Sequence, residues 1–177
     1  GDSLLMEPDK SPLLKLIDKV SFFNDFLESE KCELIDKKVL VKKYEKEGST
    51  IFREGDKGGS VVVVLSGEVS VIKSTVPAAD KGKISLVSPK DITIAKLGAG
   101  SVIGEVSLLS NKSRTTGVVT STPLVIALEI NKWHVQSFNS SIQSKFHEQF
   151  ISILIKRLED MNKKFGRTKI QSPSEKI

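Results

Sequence analysis

The sequence predicts a mainly β domain with flanking helices: an antiparallel β-roll, or jelly-roll barrel, between an N-terminal helical cap and C-terminal lid helices. Three observations carry that expectation. From about residue 39 apolar side chains recur with period two in short runs separated by glycine turns, the pattern of half-buried strands. Before that point, and again after residue 130, the spacing becomes three and four, the pattern of helices with one apolar face. Between the two helical regions, strand, glycine turn and strand alternate at intervals short enough for a closed or rolled antiparallel sheet.

The elements follow in order. Residues 1–38 read as a tail and helical cap. Residues 1–11, with Pro8 and mixed charge, are expected to be loose. Ser11-Pro12 opens a helix, because serine suits the N-cap and proline the first turn, and Leu13, Leu14, Leu16, Ile17 and Val20 keep helical spacing. The pair Phe22-Phe23 breaks that spacing, and Ser29 to Val39 follows as a second helix. Residues 39–130 form the roll. Val39 to Val41, Thr50 to Phe52, the valine-rich run Val61 to Leu65, and Val69 to Ile72 are strands; Arg53 to Ser60 and Ser66-Gly67-Glu68 are their turns. Residues 74–90, with Pro77, Gly82 and Pro89, form a long polar hairpin before the alternating strand Ile92 to Leu97. Val118 to Thr120 and Leu124 to Leu128, parted by Thr122-Pro123, complete the roll. Residues 131–166 are lid or dimerisation helices. Asn131 caps a helix through Trp133, Val135 and Phe138, and Ser140 or Ser141 starts a longer one that Gly166 ends as a C-cap. Residues 167–177 are a polar tail.

Composition removes several classes of function. At 177 residues, 38% hydrophobic and 28% charged, the chain fits one domain with a real core. The net charge of +5 comes from lysines spread along the chain, and one Tyr and one Trp cannot build a base-stacking platform, so no nucleic-acid partner is expected. No apolar run is long enough to cross a membrane, and no signal peptide is visible. The lone Cys32 excludes an internal disulfide and points to a reducing, cytoplasmic setting. His134 and His147 both follow the strands, so no metal centre and no catalytic histidine is expected inside the roll, and Glu105 has no tuned partner for acid–base work. The chain is not expected to be an enzyme.

The stretch Gly100 to Val119, GSVIGEVSLLSNKSRTTGVV, holds the remaining chemistry. A helical turn opening at Gly104 directs free N–H groups at one spot, which suits an anion. Arg114 can close over that spot with a two-pronged hydrogen bond to phosphate oxygens. Glu105 would be repelled by a phosphate, so its natural partner is a sugar hydroxyl. A plainer reading of the same residues is a strand–loop–strand with a surface ion pair between Glu105 and Arg114.

Gly104-Glu105-x-x-Leu108-Leu109-x-x-x-x-Arg114-Thr115-Thr116 resembles the phosphate-binding cassette of cyclic nucleotide-binding domains. IFREGDKGGSVVVVLSGEVSVI resembles the first half of their roll, and LIDKVSFFNDFLESEKCELI their helical entry. The resemblance covers about residues 13–160. It implies that Arg114 binds the exocyclic oxygens of a cyclic phosphate and Glu105 the ribose 2′-OH. It implies further that the N–H groups around Val106, Ser107 and Thr115 cradle the phosphate, that Gly104 and Thr116 belong to the same ligand-binding set, and that Val62 and Val64 flank the base. The implied ligand is cAMP, favoured on family frequency, with cGMP open because a threonine at 115 is associated with cGMP sites. Three residues depart from the family pattern: Gly59 where an acidic residue is common, Ser107 for alanine, and Gly117 where a bulkier residue is usual and whose presence weakens the expected strand.

The implied role is regulatory, with ligand contacts ordering the cassette and moving the C-terminal helix. Within that helix Ile151, Leu154, Leu158, Met161 and Phe165 keep a/d spacing over two heptads; a homodimer through the helix, or an effector domain, is the expected partner, and a stripe packed on the chain's own roll is the plainer reading of the same residues. Two alternatives stay open: a degenerate domain that only docks or dimerises, and the sensor half of a transcription regulator.

Overall fold

In the computed structural model the described residues are 11–37, 40–75, 90–110 and 112–170. The expectations for residues 1–10, for most of the 74–90 hairpin and for residues 171–177 lie outside them. The chain divides into two compact units, Gly1–Ser137 and Phe138–Ile177.

The first unit contains the roll. Helix α1 (Ser11–Asp18), a single 3-10 turn (Ser21–Phe23) and helix α2 (Glu28–Asp36) precede the strands β1 (Val41–Tyr44), β2 (Thr50–Phe52), β3 (Ser60–Ser66), β4 (Val69–Ser74), β5 (Asp91–Leu97), β6 (Val102–Ile103), β7 (Gly117–Thr120) and β8 (Val125–Asn131). The short helix α3 (Glu105–Ser110) lies between β6 and β7, and α4 (Lys132–Ser137) closes the unit. The strands make two antiparallel four-stranded sheets in the orders β1-β8-β3-β6 and β2-β7-β4-β5. The expected mainly β fold with helices at both ends is the fold observed.

Strand β3 explains why the valine run is continuous rather than alternating. Val61 to Leu65 are all buried, so both faces of the strand are covered. On one face Val64 joins Val69, Val71, Ile103, Val118 and Val125 in the core of the roll. Helix α1 lies on β3, and the helical cap buries Ile17, Val20, Phe22, Phe23, Phe26 and Leu34. The paired-aromatic turn is a cluster: Phe23 meets Phe22 and Phe26 edge to face, with ring centroids 4.9 and 5.2 Å apart.

Four details differ from the sequence expectation. Helix α2 ends at Asp36 rather than Val39, since Lys37 leaves helical conformation (ψ 82°) and Leu40 turns fully inward ahead of β1. Gly117 does not weaken its strand: β7 pairs with β2 on one side and β4 on the other. The missing Cβ makes room for Ile72, whose Cγ1 would lie 3.0 Å from it. The cap of the last helix is Asn139, whose Oδ1 accepts from Ile142 N at 3.0 Å. That helix, α5 (Ser140–Ile170), does not stop at Gly166 but runs four residues on, and Gly166 is not among the glycines with positive φ that a left-handed C-cap requires.

The second unit consists of α5 and the residues before it. Phe138, Ile142, Phe146 and Phe150 are buried, and the rings of Phe138, Phe146 and Phe150 stack in sequence at 6.0 and 6.2 Å. Of the residues with a/d spacing, Ile151, Leu158, Met161 and Phe165 are 54–65% exposed and Leu154 is half-buried; Ile155, outside that spacing, is 50% exposed.

Candidate functional site

The site is built on the turn between β5 and β6. Gly100 takes φ 94° and donates to Val64 O at 2.7 Å, and Val64 N returns a bond to Ser101 O at 2.9 Å. These bonds lay β6 against β3, with Ile103 opposite Val62. The chain then reverses at Gly104 (φ 85°), a conformation that favours glycine. Leu108 N donates to Gly104 O at 3.2 Å, closing the first turn of α3. Leu108 is buried and Leu109 exposed, so one side of this turn is anchored and the other faces outward. Glu105, the first residue of α3, is completely buried.

Arg114 arrives from the other side. Its N–H donates to Asp56 O and its carbonyl accepts from Gly55 N, both at 2.8 Å, so the β2–β3 turn holds its backbone twice. That turn is itself fixed by Gly55 (φ 88°) and by Asp56 Oδ2, which accepts from Arg53 N at 2.9 Å. Lys73 Nζ donates to Thr115 O at 3.2 Å and lies 3.9 Å from Glu54, tying the next residue to β4.

The Arg114 side chain turns inward and is 6% exposed. Nη2 donates to Ser60 O and to Ser60 Oγ, each at 2.8 Å, and Nη1 donates to Gly104 O at 3.3 Å. The guanidinium carbon stands 4.1 Å from the centre of the Phe52 ring, a cation–π contact. Nε is buried and has no acceptor among the described residues. Burial lowers the guanidinium pKa; Glu129 and Asp56 act against that shift through space. A guanidinium so placed carries its charge among neutral acceptors, a setting in which a buried cation is costly and an arriving anion is favoured.

Gly104 and Arg114 therefore meet, as expected, with Glu105 next in the chain. The surface ion pair of the plainer reading is not what forms: both residues are buried, and the described contacts of Arg114 go to Ser60, Gly104 and Phe52. Thr115 is exposed and Thr116 half-buried. Val62 and Val64 share one buried face of β3. Val106 and Ser107 lie in α3, but their side chains are outside the described residues. Sequence reading missed Ser60 and Phe52 as site residues. The glycine-rich turn before Ser60 and the strand holding Phe52 were legible, but nothing local says that either side chain meets an arginine more than fifty residues on. Among the described residues no cluster of His, Cys, Asp and Glu could hold a metal ion, and no described helix is long and apolar enough to cross a membrane.

The sequence profile for the cyclic nucleotide-binding domain matches residues 42–141. The cGMP-dependent protein kinase egl-4 of Caenorhabditis elegans is 29% identical over 122 residues, which are 69% of this chain and 14% of the kinase. The chain thus matches only a small part of the kinase's length. The regulatory domain of Toxoplasma gondii PKA, solved with cAMP, aligns with a TM-score of 0.59 at 18% identity over 85% of this chain and 50% of that one. A cyclic nucleotide-binding domain from Methylobacillus flagellatus aligns with a TM-score of 0.53 at 24% identity over 94% of this chain and 84% of that one. At these identities the solved structures bear on the fold.

Proposed function

The chain belongs to the cyclic nucleotide-binding domain family, and from that premise we propose that it binds cAMP, ahead of cGMP, and couples the bound state to its C-terminal helix. The observation that carries this reading is the Arg114 guanidinium, buried among neutral acceptors with Nε uncommitted. A cyclic phosphate supplies the missing anion, and the Nε hydrogen is the donor that the described contacts leave for its oxygens. The N–H groups of Val106 and Ser107, in the first turn of α3, add donors to the same anion. Glu105 accepts the ribose 2′-OH, and Val62 and Val64 flank the base.

The role is regulatory, not catalytic. A ligand shifts a two-state equilibrium only by its differential affinity for the two states, and α5 is the element whose state we take to differ. Its exposed stripe, Ile151 to Phe165, is the surface we assign to a second copy or an effector domain. A cytoplasmic location accords with the lone cysteine.

Isothermal titration with cAMP and with cGMP tests the reading. Saturable heat with at least one nucleotide is expected, and silence with both at high concentration would falsify it. The cGMP alternative has its own support: Thr115 is exposed beside Arg114, and the Caenorhabditis elegans relative is named a cGMP-dependent kinase. Tighter binding of cGMP than cAMP in that titration would decide for it.

A further inference from the structure

The anion site has a component outside the cassette, in the first residue of β3. Ser60 offers Arg114 two acceptors at once, its carbonyl and its hydroxyl, each 2.8 Å from Nη2. The carbonyl is fixed in place by the strand, for Ser60 pairs with Asn131 of β8. The hydroxyl is supplied by the side chain alone. Gly104 O takes Nη1, and the Phe52 ring lies 4.1 Å from the guanidinium carbon. Contacts with three residues from separate parts of the chain thus fix the plane of the guanidinium, and none of them brings a negative charge. The described carboxylates that influence Arg114, on Asp56 and Glu129, do so through space and not by a hydrogen bond. With Nη1 and Nη2 held on one side, Nε is the donor left for a ligand.

We propose that Ser60 is a positioning residue: its hydroxyl orients Arg114 for an incoming phosphate while leaving the arginine's charge for that phosphate to neutralise. This rests on the nucleotide-binding reading given above. Two properties follow from the geometry. Loss of the hydroxyl should affect cAMP and cGMP alike, because the phosphate is common to both and Ser60 O, Gly104 O and Phe52 remain. It should also loosen Arg114 before any ligand is present, since the tether exists without one.

The test compares the native chain with Ser60→Ala and Ser60→Thr, the latter keeping a hydroxyl on the same carbon. Two readouts are taken. One is titration with cAMP and cGMP. The other is the rate at which Arg114 reacts with an arginine-directed dicarbonyl reagent in the ligand-free protein, followed by peptide mass spectrometry. The expected result for Ser60→Ala is a loss of about tenfold in affinity for both nucleotides, the scale of one hydrogen bond to a charged group, together with faster labelling of Arg114. Ser60→Thr should restore both. Unchanged labelling in Ser60→Ala overturns the proposal whatever the nucleotides do. Faster labelling with unchanged affinity overturns it too, because the bond would then be structural only. If the native chain takes neither nucleotide, the functional reading falls by itself, and the labelling rates still show whether Ser60 holds the arginine.

Discussion

Gly104 and Arg114 share a space that has no room for one more carbon: a Cβ built on Gly104 would stand 2.2 Å from Nη1 of Arg114 and 3.2 Å from Ser60 O. The first neighbour is the end of a long side chain and can move; the second is backbone and moves little. Gly104→Ala should therefore displace the guanidinium from its bonds with Ser60 and Gly104. Its φ of 85° adds backbone strain of about 1–2 kcal/mol. The expected outcome is an affinity loss of tenfold or more by titration, with a folded protein of moderately lowered melting temperature. Native affinity in Gly104→Ala would show that the guanidinium placement is not what binds the nucleotide.

The proposed division of labour between Arg114 and Glu105 can be tested by ligand chemistry. Arg114→Lys keeps a positive charge but loses the planar fork, so a drop of about tenfold to a hundredfold is expected for any cyclic nucleotide. Glu105→Gln keeps the shape of the buried side chain and weakens only its strength as an acceptor. A 2′-deoxy nucleotide should bind the native chain less tightly than the parent, and its penalty should be smaller against Glu105→Gln, because the substitution weakens the same interaction that the missing hydroxyl removes. Additive losses would mean that Glu105 does not meet the sugar.

How far the sequence speaks depends on the distance between the partners. The roll was legible because period-two runs and glycine turns are local signals, and the two halves of the cassette lie ten residues apart. The bond from Arg114 to Ser60 spans 54 residues, and only the pairing of β3 with β6 and β8 brings Ser60 to that place. Gly117 misled for the opposite reason. Its low strand propensity is a local property, but its context is Ile72 on the neighbouring strand, which occupies the room a side chain would need. Gly166 misled in the same manner: a glycine near a helix end can adopt a left-handed cap but is not obliged to, and α5 continues through it.

The exposed stripe on α5 gives a prediction about assembly. Ile151, Ile155, Leu158, Met161 and Phe165 are each at least half exposed, a contiguous apolar surface of the kind that marks an interaction site. Sedimentation equilibrium over a range of concentrations, with nucleotide present, should show self-association of the native chain. Leu158→Glu should abolish it and, because coupling between the two binding events is reciprocal, also shift the nucleotide affinity. A chain that stays monomeric throughout would remove the dimer and leave an effector domain as the surface's partner.

His134 gives the fold a dependence on pH. Asn131 Oδ1 accepts from His134 N at 2.9 Å, and His134 Nδ1 accepts from Asn131 N at 3.1 Å, so the start of α4 is capped from both sides. An Nδ1 that accepts must be unprotonated. Burial lowers the imidazole pKa below its ordinary 6.5, assisted by Lys37 and Lys42 and opposed by Glu129. Well above 6.5 neither the folded nor the unfolded chain protonates this group, and its contribution to stability is complete. As the pH falls below that value the unfolded chain takes up a proton that the folded one resists, and the contribution declines until the lowered folded pKa is passed. Melting temperatures measured between neutral and mildly acidic pH should fall less steeply in His134→Gln than in the native chain. Equal slopes would show that His134 is not the group responsible.

Gly67 and Gly48 separate backbone strain from collision. Both have positive φ, 87° and 83°. Around Gly48 a Cβ would meet nothing within 4 Å, whereas at Gly67 it would lie 2.4 Å from Leu124 O and 2.9 Å from both Thr122 Oγ1 and Val125 Cγ2. Leu124 O cannot retreat cheaply, since it accepts the Thr122 hydroxyl at 3.1 Å, and that same hydroxyl accepts from Glu68 N. Gly48→Ala should therefore lose only the conformational term, about 1 kcal/mol. Gly67→Ala carries that strain and an overpacking cost as well, for a total of about 2–4 kcal/mol. In a chain of this length the two changes correspond to melting-temperature drops of about 2–4 °C and about 5–15 °C. Thermal melts of the two variants check the difference, and equal drops would mean that the turn at Gly67 opens far enough to accept a methyl group.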